Sequence, residues 1–344
     1  MTERSVVPTV EELREYLERR KPLGWEWDPV SVRPLNAKPE ANHWTFAVAV
    51  RDHARFDHEI VIRAINPSGM VRRSRWLTLR QEYRLLRCLN RYASVAPETH
   101  HRDLGGFRMP LLFQELIPGE SLTALAERGK LEAGHLFAAV DLVSRLGACP
   151  VQLSVFPWLW VRRERSYRQH AQKCYARLAD IAAATTNSGF PERLAELSQW
   201  YDQLSAIVEP VAQLLDQCQS FLDRAPSVLI FKGAHLGNTI WEPRMRRCRF
   251  VDWESVAWGD PVYTFVRPIS AVRDLDRMPG VTTEGLVTEF ESACACRPLR
   301  IGGIRELVRA RLLERALSDA VWVVWEYVVR HKTGPINETT GIAR

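Results

Sequence analysis

The sequence predicts an α+β fold of two lobes. A small antiparallel-sheet lobe with one long helix is expected over residues 1–120, and a larger, mostly helical lobe over 121–344. Three observations predict it. Short runs with apolar residues at every second position crowd the first third of the chain. Long runs with helical period fill most of the rest. A pair of strand-like runs, "VLIF" and "CRFVDWESVAWGDP", interrupts those helices. At 344 residues and 46% hydrophobic, the chain is long enough to build such a core.

Each element follows from its own pattern. "TVEELREYLERR" (9–20) reads as a capped helix, with Thr9 as the cap, Glu12 three residues on, and Leu13 and Leu17 on one face. "DPVSVRPL" (28–35), "HWTFAVAV" (43–50) and "HEIVIRAI" (58–65) read as strands; in the second, Trp44, Phe46, Val48 and Val50 share a face. The spacing of Leu79, Leu86 and Leu89 predicts a helix over about Ser74 to Tyr92. "FRMPLLFQELIPGESL" reads as two strand pieces meeting at a Pro-Gly turn. Helices are expected over 132–149, 161–186 and 191–218, and after the strand pair over about Thr283 to Cys294 and Ile304 to Arg330. The tail from 331 reads as loose.

Composition excludes several classes. The seven cysteines are scattered, and the close pair Cys294-x-Cys296 has no matching second pair, which argues against a zinc site and for reduced thiols. The net charge of +6 rests on Arg, since only six Lys occur. Arginine suits bidentate binding of phosphate or carboxylate, so the balance points to an anionic ligand. The basic clusters "MVRRSRW" and "WVRRERSYR" read as solvated helix faces, and no nucleic-acid-binding signature accompanies them. The apolar run "DAVWVVWEYVV" is too short to span a membrane and holds Asp319 and Glu326. The first residues lack the basic-then-apolar order of a signal peptide. The expectation is a cytoplasmic protein with no membrane and no nucleic-acid partner.

The chemistry concentrates in "VLIFKGAHLGNTIW" (228–241) and the run that follows it. A strand leads into a loop carrying His235 and Asn238, and the second run carries Asp252, Glu254 and Asp260. An Asn after a strand is by itself a turn residue, and Asp-Trp-Glu by itself means little. Together they suit Mg²⁺, which takes one or two protein oxygens and fills the rest of its octahedron with water and phosphate.

On these residues the sequence resembles the aminoglycoside phosphotransferase and choline kinase superfamily, which has a protein-kinase-like fold. That family's catalytic loop reads His-Gly-Asp-x-His-x-x-Asn, followed by Asp-[Phe/Trp]-Glu and Gly-Asp-Pro. This chain has Phe231-Lys232-Gly233-Ala234-His235-Leu236-Gly237-Asn238, then Asp252-Trp253-Glu254, then Gly259-Asp260-Pro261. The resemblance implies ATP and Mg²⁺ as cofactors, Asn238 and Asp252 as the metal ligands, and His235 beside the transferred phosphate. It implies that Arg63 takes the place of a basic residue, often Lys, that grips the α and β phosphates. Glu82 on the next helix would orient Arg63, the other reading being an exposed helix carboxylate. It places adenine on the backbone around Gln114, Glu115 and Leu116. Asn42, in the glycine-free loop "NAKPEAN", matches an Asn common in the family near the phosphates. Asp260 is expected to cap or buttress its loop, and the helices between Glu132 and Cys218 to form the acceptor pocket.

The loop also departs from the family. The catalytic Asp aligns with Gly233, its Gly with Lys232 and its first His with Phe231. Thr264 stands where the family usually has Asp. Loss of a general base costs about 10²–10⁴-fold in rate. Phosphoryl transfer depends mainly on positioning and charge, so activity can outlast that loss. A base could come from His235, from the substrate or from a partner chain, and Lys232 could add electrostatic stabilisation. Three readings stand: a phosphotransferase acting on a hydroxyl of a small molecule or of a peptide Ser or Thr, a nucleotide-binding pseudokinase that regulates or scaffolds a biosynthetic complex, and a structural partner that keeps only the fold. The retained Asn238 and Asp252 favour the first, Gly233 the second.

Overall fold

The computed structural model describes residues 7–36, 43–51, 58–65, 78–151, 154–161, 163–164, 166–187, 194–270 and 278–329. In chain order the elements begin with helix α1 (Val10–Arg20) and strands β1 (Glu26–Asn36), β2 (His43–Arg51) and β3 (His58–Ile65). Next come α2 (Leu79–Tyr92), β4 (Thr99–Asp103), β5 (Leu111–Glu115), β6 (Glu120–Ser121), α3 (Leu122–Glu127) and α4 (Ala133–Gly147). Then follow β7 (Arg163–Glu164), α5 (Tyr167–Asn187), α6 (Leu194–Gln217), α7 (Gln219–Arg224), β8 (Val228–Phe231), β9 (Thr239–Glu242), β10 (Arg247–Phe250) and β11 (Val256–Gly259). The chain closes with α8 (Pro261–Ser270), α9 (Thr283–Ala295) and α10 (Ile304–Val329). The class is α+β, as expected. No helix among the described residues is long and apolar enough to cross a membrane.

The elements gather into two compact units, the first of residues 1–162 with 231–257. Its main sheet is antiparallel with strand order β1-β2-β3-β5-β4. Trp44, Phe46, Val48 and Val50 of β2 line the buried face with Ile60, Ile62 and Ala64 of β3 and Phe113 of β5. Helix α1 closes that core with Leu13, Tyr16 and Leu17. It starts where Thr9 accepts from the Glu12 amide while the Glu12 carboxylate accepts from the Thr9 amide. Because side chains alternate along a strand, the other face carries His43, Thr45 and Arg63, with Thr45 directly opposite Arg63. Helix α2 starts at a similar Thr78–Gln81 box and buries Leu79, Leu85, Leu86 and Leu89 with one acid, Glu82. A smaller sheet, β10-β9-β6, completes the unit.

Arg249 on β10 organises that smaller sheet. Its guanidinium donates to both oxygens of Glu115 (2.6 and 2.7 Å) and to both oxygens of Glu242 (2.6 and 2.9 Å). Arg247 adds a bond to Glu242 at 3.0 Å. Glu242 and Arg249 are both buried, so pairing is the condition on which their charges are tolerated there.

The second unit holds residues 163–230 and 258–344. Helices α5, α6 and α10 pack on Cys174, Leu178, Ile181, Leu204, Val208, Leu317 and Val321. At the base of α8, Asp260 accepts from the Tyr263 amide at 3.1 Å. Its other oxygen accepts from Arg311, a buried arginine on α10 that also binds Glu314 and the Glu164 carbonyl. The guanidinium lies 4.9 Å from the Tyr167 ring and 5.2 Å from that of Tyr263. His170 sits between Glu164 (3.1 Å) and Glu314 (2.9 Å). Asp260 is thus a cap and a buttress, as its motif suggests.

The elements β4, β9, α3, α7 and α8 go beyond the sequence expectation. The run "CRFVDWESVAWGDP" is two strands separated by a turn rather than one. The helix expected from 161 begins at Tyr167, because Arg163 and Glu164 pair in parallel with Trp258 and Gly259. The start of the helix expected from Ser74, and the tail from 331, lie outside the described residues.

Candidate active site

Arg63 stands at the centre of the arrangement. It is 6% exposed, and its Nη1 donates to Glu82, itself 3% exposed, through a short charge-assisted bond. Its Nη2 donates to Asp252 Oδ1 at 2.9 Å. Burial opposes the charge on Arg63, yet Glu82, Asp252 and Glu254 hold its pKa above the ordinary arginine range. Glu82 is therefore a partner of Arg63 and not an exposed helix carboxylate.

The loop after β8 is built by backbone bonds. The Lys232 amide donates to the Ser255 carbonyl at 2.9 Å, and the His235 amide to the Gly233 carbonyl at 2.8 Å. A short 3-10 turn, Leu236–Asn238, follows. Asn238 spends its amide nitrogen on the Gly233 carbonyl (3.1 Å), so the atom it can offer a ligand is its amide oxygen. Its backbone carbonyl accepts from the Val251 amide at 2.9 Å, which ties this turn to the residue beside Asp252. His235 is exposed and Lys232 half-buried.

Asp252 has a left-handed backbone, φ +65°. Its neighbour holds that turn in place: Trp253 is buried, donates its indole N–H to the Phe250 carbonyl at 2.8 Å and stacks on Phe231 at 4.7 Å. Burial alone would raise the Asp252 pKa, but the His43 hydrogen bond and the Arg63 charge hold it down at about 2. The carboxylate is anionic at any ordinary pH.

The ring of Phe231 bounds the space around Gly233. A β-carbon at Gly233 would lie 2.8 Å from its Cζ and 2.9 Å from its Cε2. The buried ring fills the room into which a side chain at position 233 would grow.

One residue of the site is absent from the sequence reading. His43, first residue of β2, has Nε2 at 2.7 Å from Asp252 Oδ1 and 2.8 Å from Arg63 Nη2, and Nδ1 at 3.3 Å from Glu254. Burial and the adjacent Arg63 charge lower its pKa, against the pull of Asp252 and Glu82. His43, Asp252 and Glu254 each bring a ligand atom within 4.8 Å of the others, spacing that would admit a metal ion.

The remaining expected residues are less tightly joined. The Glu115 amide donates to the Glu98 carbonyl (2.8 Å) and the Leu116 amide to the Glu59 carbonyl (3.4 Å), so both serve the sheet. The Glu115 carboxylate is spent on Arg249, and Gln114 is buried on β5, an interior strand between β3 and β4. Asn42 lies outside the described residues.

Comparison with known proteins bears on the fold and the family. An ethanolamine kinase of Plasmodium vivax superposes with a TM-score of 0.56 at 12% identity, covering 97% of this chain and 93% of its own. The GDP and kanamycin complex of APH(2")-IIia gives 0.58 at 13% identity, covering 94% and 93%. The streptomycin–ATP ternary complex of APH(2")-IIa gives 0.52 at 14%, covering 95% and 93%. At these identities the likeness concerns the fold, which is kinase-like. No curated protein matches the sequence. The sequence model of the phosphotransferase enzyme family matches residues 70–281, more than half of the chain, and the chain belongs to that family.

Proposed function

We propose that the protein is an ATP- and Mg²⁺-dependent phosphotransferase whose acceptor is a hydroxyl on a small molecule or a peptide. The observation that carries this reading is the buried Arg63–Glu82 pair joined directly to Asp252. In kinase-like sites a basic residue on the third strand, its helix acid and the metal-binding aspartate must stand together for phosphoryl transfer. Arg63 and Glu82 are buried while Asp252 is partly open to solvent, so the fixed pair presents its charge at an accessible carboxylate.

In this reading Arg63 holds the α and β phosphates, and Glu82 fixes the guanidinium. Asp252 and the amide oxygen of Asn238 are hard oxygen donors of the kind Mg²⁺ takes. When bound, the metal neutralises charge that develops on the transferred phosphoryl group. Lys232 and His235 supply positive charge and a proton acceptor beside the same loop. Arg63, Lys232 and Arg-rich composition favour a polyanionic donor. Two of the similar structures are a GDP and kanamycin complex and a streptomycin–ATP ternary complex, and a nucleotide with a small-molecule acceptor is the pairing we carry over.

A second reading rests on Gly233. With no carboxylate there and the Phe231 ring in its room, the chain would bind nucleotide without turnover and act as a regulatory or scaffolding partner of another protein. Titration calorimetry with a non-hydrolysable ATP analogue, with and without Mg²⁺, tests what the two readings share; ADP release over a panel of amino alcohols and aminoglycosides separates them. Mg²⁺-dependent binding with acceptor-stimulated release is expected. Binding without stimulated release would favour the second reading, and no binding would sink both.

A further inference from the structure

In the second unit, α8 and α10 pack together around a cavity of about 40 Å³. Three arginines line it: Arg267 from α8, and Arg311 and Arg315 from α10. Arg311, Arg315 and Ser318 recur at i, i+4 and i+7, so one face of α10 carries all three. At about 10–15 Å³ for each water, the cavity holds about three, the room that the three heavy atoms of a carboxylate need.

Most charges around it are matched. Arg311 is spent on Asp260, Glu314 and the Glu164 carbonyl. His170 lies between Glu164 and Glu314. Arg315 Nε stands 2.7 Å from Asp319, which leaves the outer nitrogens of its fork. Arg267 is the exception. Its Nη1 reaches the Tyr263 hydroxyl at 3.4 Å, and the guanidinium lies 5.6 Å from that ring. Its Nε is buried without a hydrogen-bond partner, and among the described residues no carboxylate pairs with it. Two guanidinium groups thus share one acid, Asp319. Burial and the Arg267 charge press the Arg315 pKa below the ordinary arginine range, against the pull of Asp319. Burial raises the Asp319 pKa although both arginines oppose it, so that acid does not fully offset them.

We propose that this cavity is an oxyanion site, in which a carboxylate or phosphate group of a small molecule enters between Arg267 and Arg315. Its oxygens accept from Arg267 Nε–H and from the outer N–H groups of Arg315, and Ser318 Oγ–H donates from the same helix face. A second anion would give each guanidinium its own partner, the arrangement that charge-assisted bonds favour. Arg267 and Arg315 are only half-buried, so the group can enter from solvent. The inference stands apart from the nucleotide reading, whose residues all belong to the first unit.

Urea midpoints of the full chain, measured against rising inorganic phosphate or malonate, test it at an ionic strength held constant with chloride. Phosphate also stabilises proteins by exclusion from their surface, an effect that does not saturate. A bound anion raises the midpoint along a binding curve. A saturating rise is expected, and whether phosphate or malonate gives it at lower concentration tells which group the site prefers. Arg267→Gln should weaken that binding about 10–100-fold, and Ser318→Ala about 2–10-fold. Arg309→Gln removes the same charge from an exposed position of α10 and should change it by less than about twofold. A rise that never saturates overturns the proposal, as does binding that survives Arg267→Gln or that falls as far in Arg309→Gln. If Arg267→Gln does not fold, undiminished affinity in Ser318→Ala overturns it instead.

Discussion

Replacing Gly233 with Asp returns a carboxylate to the position where similar catalytic loops carry their base. On chemistry alone the change should help, since a general base is worth about 10²–10⁴-fold. Packing opposes it. The new β-carbon would stand 2.8 and 2.9 Å from two ring atoms of Phe231. The ring cannot swing aside cheaply, because it is buried, stacked on Trp253 at 4.7 Å and 5.0 Å from Phe250. Overpacking of this kind costs about 1–3 kcal/mol, and disturbing an aromatic pair adds about 0.5–1.5 kcal/mol. Gly233→Asp alone should therefore lose about 2–3 kcal/mol in urea denaturation and gain no turnover. Leucine lacks the two atoms in collision, so Phe231→Leu should cost about 1–2 kcal/mol by itself and absorb most of the Gly233→Asp penalty. A double-mutant cycle should show about 1–2 kcal/mol of favourable coupling. Only the double variant should release ADP faster with an acceptor present. Additivity within about 0.5 kcal/mol, or faster turnover in Gly233→Asp alone, would refute the view that the Phe231 ring stands in the way.

Other outcomes follow from the same interactions. Asp252→Ala should abolish the Mg²⁺ dependence of nucleotide binding in calorimetry; unchanged Mg²⁺ dependence would remove Asp252 from the metal site. Arg249→Met leaves Glu115 and Glu242 without their guanidinium and should cost about 3–5 kcal/mol in a urea midpoint series, whereas Arg33→Met at the exposed Glu59 pair should cost less than about 1 kcal/mol. Burial lowers the His170 pKa, but its bonds to Glu164 and Glu314 outweigh that and leave it raised. A raised histidine stabilises fully below its unfolded value of 6.5 and loses that contribution as pH climbs through the folded value. Melting temperature should fall as pH rises from 6.5 through the folded value in the wild type and stay flatter in His170→Gln. For Glu314, burial is overcome by Arg311 and His170, and its pKa drops to about 2. Its contribution is present above 4.5 and disappears as pH falls toward 2, a loss that Glu314→Gln should lack.

Local chemistry made much of this legible. Thr9 and Glu12 announce a helix start, and β2 and β3 were readable because their apolar faces alternate. Asn238 and Asp252 stand out in the sequence because their spacing resembles a known loop, and the structure ties their turns together through the Val251 amide. What stayed hidden depends on pairing between distant segments. "THHRD" has no apolar alternation, yet it forms β4 because β5, paired with β3 on one side, offers its other edge. Helix α8 carried its signals, Asp260 as cap and Pro261 at its first position, but Pro268 breaks the pattern a reader would seek. His43 begins a strand and looks ordinary there. Its role appears only once register sets Thr45 opposite Arg63 and brings Asp252, more than two hundred positions away, against its ring. The sequence exposes the missing carboxylate at 233, but that a ring fills the room is a fact of packing.

The left-handed turn at Asp252 narrows which residues the position can hold. A φ of +65° is open to glycine and tolerated by Asp and Asn, whose short polar side chains bond locally, but it penalises longer side chains. Glutamate, the replacement that keeps the charge, is thus penalised by the backbone as well as by reach. Asparagine fits the turn but surrenders the anion, and glycine surrenders the ligand as well. Aspartate is the residue that meets both demands at once. A library randomised at 252 and selected only for folding should be enriched in Gly, Asn and Asp, and one selected for metal-dependent binding should be enriched in Asp over the other two.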